Sequence, residues 1–323
     1  MKIKKEIPVK VAVVQMEPVV GETERNLANC LAKAAEAADN GAQLIVLPEL
    51  CVSGYVFANR EEAFSLSEPV PEGPSSQAFL KLAMERKLYV YAGLNENCGD
   101  RLYNTAVLFG PEGVVGKYRK LQIWDDEYLW FEPGDLGLPV FHTPIGRIGM
   151  LVCNDCWYQE LYRILAMQGA DIIIAGVDGP ARPHAPFDMN TFVVFHAMAA
   201  ANCSNVYVAV AVRTGIERGE EFAGRSVIVD NAGAPIAGPA GKTGDEILYA
   251  DCDFAKVRQH QGNLYNSVVT DRRTDVYDRL LGYDRRNSGI DSGRKLADLR
   301  DVSQKDELSL FAIHLLFGKE ILM

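Results

Sequence analysis

Short apolar strands alternate with helical patterns along most of this 323-residue chain. The run VKVAVVQM (9–16) is β-branched and typical of a buried strand. Apolar residues then recur at helical spacing from Leu27 to Ala38, and Gly41 stands where a helix is expected to end. The run AQLIVLPE (42–49) is a second buried strand, ended by a proline that cannot donate to a ladder. The alternation predicts a mixed α/β fold.

The same pattern continues to about residue 252, without a linker rich in glycine and serine. It predicts helices over 75–86, 159–169 and 190–203, strands over 89–94, 146–153, 170–176, 205–215, 224–230 and 246–252, and a hairpin within 104–120. We therefore expect one domain over residues 1–270. Residues 271–323 form a charged extension, interpreted either as a solvated tail or as an arm lying on a second subunit.

Charge and cysteine content restrict the partners and the compartment. The formal net charge of -10 disfavours nucleic acid and anionic lipid, so we expect a small molecule or another protein as the partner. No run approaches the ~18 apolar residues of a membrane span, and the basic start lacks a cleavage site for a signal peptide. Seven scattered cysteines, an odd number, indicate reduced thiols. The expected location is cytoplasmic.

Several common catalytic motifs are missing from the sequence. The five histidines form no H-x-x-x-H pair, which gives a zinc hydrolase little support. Neither a G-x-G-x-x-G nor a P-loop sequence occurs, and there is no G-x-S-x-G elbow. The chemistry is therefore sought among cysteine, lysine and carboxylates.

Three such residues stand at the carboxyl ends of predicted strands, where α/β sheets usually build their sites. They are Glu49, Lys120 and Cys153. Each alone has an ordinary explanation, a solvated charge or a packed thiol. Around one pocket they would supply a general base, a positive charge for an oxyanion and a nucleophile, the parts that amide hydrolysis needs.

The stretch LVCNDCWYQE (151–160) admits several readings by itself. Cys153 and Cys156 fit a redox pair, a metal clip, a nucleophile with a bystander, or two buried small residues. As a nucleophile, Cys153 needs help to ionise, and we expect it from a neighbouring base, from the charge of Lys120 and from the N-terminus of the following helix.

Three stretches, LIVLPELCVSGY, GKYRKLQIW and LVCNDCWYQE, resemble in order and spacing the three blocks of the nitrilase superfamily of carbon-nitrogen hydrolases. The resemblance runs from about residue 9 to 260. It implies a four-layer α-β-β-α sandwich whose subunits pair into an αββα–αββα dimer, and it implies no cofactor and no metal.

The resemblance also implies roles for individual residues. Glu49 is similar to the general base, Lys120 to the lysine that stabilises the oxyanion, and Cys153 to the nucleophile. In DDEYLWFEPGD the pattern E-x-x-x-F-E-P-G resembles N-carbamoyl amino acid hydrolases and identifies Glu127 as a fourth catalytic residue, with Glu132 as its competitor.

The residues after the nucleophile bear on the substrate. Asn154-Asp155 resembles the amide-cleaving branches, whereas the nitrile-cleaving branch commonly has Trp-Glu there. Cys156-Trp157 stands where the N-carbamoyl-D-amino acid branch has two arginines, so the clamp for a substrate carboxylate is missing. The expected function is therefore hydrolysis of a small carboxamide to acid and ammonia through a thioester.

We expect Tyr55, Trp157 and Tyr158 to form the substrate wall and the backbone N–H of Asn154 to assist the oxyanion. Arg182 and His184 are further candidates, for the far end of a substrate. The alternatives are an N-carbamoyl amino acid amidohydrolase, a nitrilase, a glutamine-fed amidotransferase domain and a catalytically silent interaction protein.

Overall fold

A computed structural model describes residues 8–181, 192–258 and 267–281. The chain divides into a first unit, residues 1–271, and a second unit that begins at residue 272. In the second unit the described part is residues 272–281, which contain one helix. The candidates Arg182 and His184 lie outside the described residues.

The first unit contains five described α-helices and fifteen strands. The helices are α1 (Thr23–Asp39), α2 (Arg60–Ser65), α3 (Pro74–Arg86), α4 (Gln159–Met167) and α5 (Phe192–Ser204), and the second unit holds α6 (Thr274–Leu281). The strands are β1 (Val9–Gln15), β2 (Leu44–Val46), β3 (Glu68–Pro69), β4 (Tyr89–Cys98), β5 (Arg101–Gly110), β6 (Gly113–Arg119), β7 (Val140–Thr143), β8 (Gly146–Val152), β9 (Ile172–Val177), β10 (Tyr207–Val212), β11 (Ile216–Glu217), β12 (Glu220–Glu221), β13 (Val227–Val229), β14 (Pro235–Ala237) and β15 (Glu246–Cys252). Short 3-10 helices span Asp125–Leu129, Cys153–Trp157 and Phe254–Lys256.

Local sequence signals explain where the helices begin and end. In α1 the buried residues Asn26, Cys30, Ala34 and Ala37 recur at helical spacing, and Gly41 takes the left-handed φ of +83° just beyond the helix end. Helix α3 begins at Pro74, whose missing N–H would have no helical partner at that position. Helices and strands lie at the predicted places, but β2, β10 and β13 are shorter than the strands predicted over 42–49, 205–215 and 224–230.

Two mixed sheets form the centre of the first unit. One has the order β15-β1-β2-β4-β5-β6, with β3 beside β4, and the other has the order β14-β13-β10-β9-β8-β7. Strands β1, β2 and β4 are parallel, as are β8, β9 and β10, while the outer pairs are antiparallel. Strand β5 is antiparallel to both β4 and β6, so β6 runs in the direction of β2 and β4.

Three hydrophobic clusters define four layers. The central cluster joins the facing sides of the two sheets, with Val13 and Tyr91 from one and Met150 and Ile174 from the other. A second cluster packs α1 and α3 on the first sheet, and a third packs α4 and α5 on the second. This is the α-β-β-α sandwich that the family resemblance implied. Among the described helices, none combines the length and apolar character needed to cross a bilayer.

Candidate active site

Glu49 lies three residues beyond β2, in the space between the two sheets. Its side chain is fully buried, and its backbone passes Gly93 of β4 and Gly176 of β9 so closely that a Cβ at either glycine would lie 2.7 and 2.6 Å from it. The carboxylate accepts from Asn104 Nδ2 at 2.6 Å and from the backbone N–H of Asp178 at 2.8 Å. Both sheets therefore hold this carboxylate.

Lys120 directly follows β6 and points at two carboxylates. Its Nζ lies 2.8 Å from Glu49 Oε1, 2.6 Å from Glu127 Oε1 and 2.9 Å from Glu127 Oε2, with all three side chains buried. Burial alone would lower the pKa of Lys120, but the charges of Glu127 and Glu49 outweigh it and hold that pKa well above its ordinary value. Lys120 is therefore a fixed ammonium between two carboxylates.

Glu127, in the 3-10 helix after β6, is the second carboxylate on Lys120. Burial raises the pKa of Glu127 to about 7, against the opposing effect of Lys120. The hydroxyl of Tyr55 donates to Glu127 Oε1 at 2.8 Å. Glu132, the alternative to Glu127 for the fourth catalytic residue, is exposed to solvent. Of the two candidates, the structure brings Glu127 to the lysine.

Cys153 directly follows β8 and begins a 3-10 helix with a left-handed φ of +44°. A non-glycine residue at positive φ is strained, and such strain concentrates at functional sites. The thiol is partly accessible, yet burial and then Glu49 raise its pKa well above the ordinary value, while Lys120 and the N–H of Asp178 lower it. The expected help from the lysine is thus outweighed by burial and Glu49, which favour the protonated thiol.

Asp155 ties the turn at Cys153 to the segment after Lys120. Its buried carboxylate accepts from the N–H of Val152 at 3.0 Å, the N–H of Gln122 at 2.9 Å and the hydroxyl of Tyr118 at 2.8 Å. Burial raises the pKa of Asp155 to about 6. Sequence reasoning missed this linkage, although an acidic residue two positions after the nucleophile on a buried strand end was a signal for it.

A small cavity of about 60 Å³ opens beside the thiol. It is lined by Trp124, Cys153, Asn154, Cys156, Trp157, Val177, Gly179, Pro180, Phe192, Val193, His196 and Ala223. Trp157 packs within 5.0 Å of Phe192 and 4.8 Å of His196, measured between ring centroids. Burial lowers the pKa of His196, so its ring is neutral at neutral pH. The described lining thus presents no charged side chain.

The remaining candidates for the substrate wall lie in different places. Asn154 and Trp157 line the cavity. Tyr55 instead lines a neighbouring cleft together with Glu127, and its hydroxyl is used on that carboxylate. Tyr158 is not among the described residues that line this cavity; the chain leaves the 3-10 helix there, and the residue is 40% exposed.

Cys156 is a buried residue of the cavity wall. It packs with the cluster between the second sheet and its helices, and burial raises its pKa to about 12.

The described cysteines are all free thiols. Among the described residues no cluster of histidine, cysteine and carboxylates could hold a metal ion. A thiol, two carboxylates and an ammonium are the reactive groups of this site, a set suited to acyl transfer.

Residues 10–261 match the carbon-nitrogen hydrolase family. A nitrilase of Pyrococcus abyssi is 39% identical over 272 residues, which cover 84% of this chain and 100% of that protein. A citrullinase of Francisella tularensis is 33% identical, covering 84% of this chain and 98% of its own. The crystal structure of a carbon-nitrogen hydrolase from Helicobacter pylori superposes with a TM-score of 0.76 at 25% identity, covering 86% of this chain and 99% of that one. The chain therefore belongs to the carbon-nitrogen hydrolase family, in the nitrilase superfamily.

Proposed function

We propose that this protein is an amidase that hydrolyses a small carboxamide to carboxylic acid and ammonia through a thioester on Cys153. One observation carries the proposal. The ammonium of Lys120 bridges the buried carboxylates of Glu49 and Glu127 at 2.6 to 2.9 Å, at the edge of the sandwich where Cys153 faces the cavity. A structural ion pair alone would be a costly use of three buried charges.

The reaction begins with a proton transfer from the Cys153 thiol to Glu49 as sulfur attacks the carbonyl carbon. A raised thiol pKa supports this order, because a protonated thiol needs a base during attack. The tetrahedral oxyanion is held by Lys120 and by the backbone N–H of Asn154, in the first turn of the 3-10 helix. A good donor there contributes about 3 to 4 kcal/mol.

Glu49 then returns the proton to the leaving nitrogen, and ammonia departs as the thioester forms. Water, deprotonated by Glu49, attacks the thioester and regenerates the thiol while the acid leaves. Glu127 keeps Lys120 in place and, beside Tyr55, lies where it can orient the substrate amide. The balance is one amide and one water to one acid and one ammonia, without a cofactor.

The cavity supports a small, uncharged acyl group. Its volume is about 60 Å³, and the described lining is mostly apolar and aromatic with Asn154 and a neutral His196 as polar groups. No arginine lies among the described lining residues, which disfavours a substrate carboxylate at that point. Relatives named nitrilase and citrullinase make nitriles and citrulline the alternative substrates.

The test is ammonia release from purified protein given carboxamides, N-carbamoyl amino acids, citrulline and nitriles, with Cys153→Ala and Cys156→Ala as matched variants. Ammonia from carboxamides that Cys153→Ala abolishes and Cys156→Ala retains is the expected result. Release mainly from carbamoyl compounds or nitriles would transfer the assignment to those branches. No release from any compound would overturn the hydrolase proposal in favour of an interaction protein.

We also propose that the protein is at least a homodimer that pairs through the outer faces of α4 and α5. These adjacent helices expose Ile164, Met167 and Phe195, an apolar surface that a second copy would cover. Light scattering is expected to give twice the chain mass or a multiple of it, and Ile164→Glu with Phe195→Glu should give monomer. A monodisperse wild-type monomer would contradict this assembly.

The domain limits and the compartment belong to the same proposal. We assign residues 1–270 to the hydrolase domain and 271–323 to an extension that serves as an intersubunit arm. A cytoplasmic location is supported by the seven free thiols. Truncation after residue 270 tests the arm. It should lower the number of subunits, taken as the mass from light scattering divided by the mass of the truncated chain, without removing the fold.

A further inference from the structure

A second buried ion pair lies close to the candidate site, between Arg213, just after β10, and Glu217 in β11. Their side chains are 1% and 3% exposed, with Arg213 Nη1 at 3.1 Å from Glu217 Oε2 and Nη2 at 3.3 Å from Oε1. Arg213 Nη2 also donates to the carbonyl of Pro18 at 2.6 Å. Because burying two charges costs much of what their attraction returns, stability alone is a weak reason for this pair.

Glu217 holds the loop that follows Glu49 in sequence. Its Oε2 accepts from the backbone N–H of Tyr55 at 2.9 Å and of Val56 at 2.7 Å. The Tyr55 ring meets Phe222 edge-on at 6.0 Å, and the guanidinium of Arg213 lies 3.9 Å from the centre of that same Phe222 ring. The pair therefore fixes Tyr55 at its backbone and, through Phe222, at its ring.

Tyr55 in turn touches the proposed catalytic group. Its hydroxyl donates to Glu127 Oε1 at 2.8 Å, and the same oxygen accepts from Lys120 Nζ at 2.6 Å. A continuous set of contacts thus runs from Arg213 through Glu217 and Tyr55 to Glu127. Arg213 also lies next to the backbone that binds Glu49. Its own backbone N–H donates to the carbonyl of Val177 at 3.0 Å, and the next residue, Asp178, donates its N–H to Glu49.

We propose that Arg213 and Glu217 are positioning residues that hold the Tyr55 hydroxyl on Glu127, so that Glu127 stays ionised beside Lys120 during the reaction. The catalytic consequence rests on the amidase function proposed above. The contact between the Tyr55 hydroxyl and Glu127 does not depend on that function, because the reactivity of the Cys153 thiol reports on it without turnover.

The charged and titratable groups around Glu127 decide the direction of the effect. Lys120, Glu49, Tyr55 and Cys153 act on it or on its neighbours, and Asp125, Asp126 and Glu220 line the same cleft as Glu127. Burial raises the pKa of Glu127 to about 7, Lys120 opposes this, Glu49 adds to it, and the hydrogen bond from Tyr55 lowers it. Loss of the Tyr55 hydroxyl therefore raises the pKa of Glu127 further. The charge on Glu127 also raises the pKa of Cys153, so thiol reactivity reports on Glu127.

The experiment compares wild type with Tyr55→Phe, Glu217→Gln and the double variant. Tyr55→Phe keeps the ring and removes the donor, and Glu217→Gln keeps the size and removes the charge. The matched control is Glu62→Gln, which breaks a more exposed ion pair to Arg218, the residue next to Glu217. The rate of Cys153 alkylation by iodoacetamide, read by mass spectrometry, and ammonia release are measured from pH ~5 to ~9.

In the wild type we expect an inflection of alkylation rate near the pH at which Glu127 ionises. Both single variants should move this inflection upward by about one pH unit, because one pKa unit corresponds to about the free energy of one lost hydrogen bond to a charged group. The double variant should move it no further, and Glu62→Gln should leave it in place. Thermal unfolding of each variant shows whether it is folded.

Three results would overturn the inference. The first is an alkylation inflection at the wild-type pH in folded Tyr55→Phe. The second is a shift in the double variant equal to the sum of the two single shifts. The third is a shift in Glu62→Gln as large as the shift in Glu217→Gln. If Glu217→Gln fails to fold, Tyr55→Phe still shows whether the hydroxyl acts on Glu127. Arg213→Lys then tests the ion pair, and an upward shift of its alkylation inflection supports the positioning role of Arg213 and Glu217. Should alkylation shift as expected while no variant or wild type releases ammonia, the positioning role stands and the amidase function fails.

Discussion

Replacing Lys120 by methionine removes the cation between two buried carboxylates. Lys120 donates to both Glu49 and Glu127, and all three side chains are at most 1% exposed. Breaking a buried ion pair by removing one partner costs about 3 to 5 kcal/mol, because a buried charge is left without compensation. We expect the free energy of unfolding of Lys120→Met to fall by about this amount at pH ~8, with loss of activity.

The loss of stability should depend on pH. Burial already raises the pKa of Glu127 to about 7, above the ~4.3 of an unfolded glutamate, and removing Lys120 raises it further. A raised carboxyl pKa gives stability that is full below the unfolded value and is lost as pH rises through the folded value. The deficit of Lys120→Met should therefore be smaller at pH ~5 than at pH ~8.

Urea unfolding at both pH values measures this difference. The matched control is Lys33→Met, because Lys33 pairs with Asp245 at 2.9 Å on a partly exposed surface, where such pairs contribute about 0 to 1 kcal/mol. Equal losses in the two variants would refute the reasoning, as would a deficit of Lys120→Met that does not change with pH.

Three further predictions concern single residues. The kcat/KM of wild type should rise as pH passes through about 7, where Glu127 ionises, and Glu127→Gln should remove this rise and lower kcat about a hundredfold or more; an unchanged pH profile would contradict it. Trp157→Ala should widen the cavity, raise KM for the smallest carboxamides about tenfold and lower KM for bulkier carboxamides. Equal changes in KM for both sizes in a substrate series would contradict this. Tyr118→Phe removes the donor at 2.8 Å from the buried carboxylate of Asp155 and should cost about 1 to 3 kcal/mol of unfolding free energy in urea; a wild-type midpoint would count against it.

Local patterns were enough to predict the main strands and helices and to single out the candidate reactive groups, whereas the four-layer sandwich came from the family resemblance. Apolar runs and helical spacing indicated the elements, and residues at the carboxyl ends of predicted strands were candidates because α/β sheets usually build their sites there. Glu49, Lys120 and Cys153 do lie together there, with Glu127 on the lysine. The family resemblance supplied the choice of Glu127 over Glu132, which spacing alone left open.

Long-range contacts were beyond sequence reasoning. The carboxylate of Glu217 reaches the N–H of Tyr55 across 162 positions, and the hydroxyl of Tyr118 reaches Asp155 across 37. Such contacts depend on how the two sheets face each other, for which periodicity carries no signal. Tyr158 follows the end of the 3-10 helix and is 40% exposed, and its place in the substrate wall stays a prediction.

The proposed mechanism requires that Cys153 carries the acyl group. Mass spectrometry of acid-quenched protein during turnover of a slow carboxamide can detect this acyl-enzyme. We expect a mass increase equal to the acyl group on the peptide that contains Cys153, absent in Cys153→Ala, while Cys156→Ala still forms the adduct. An adduct on another residue, or continued ammonia release by Cys153→Ala, would contradict it.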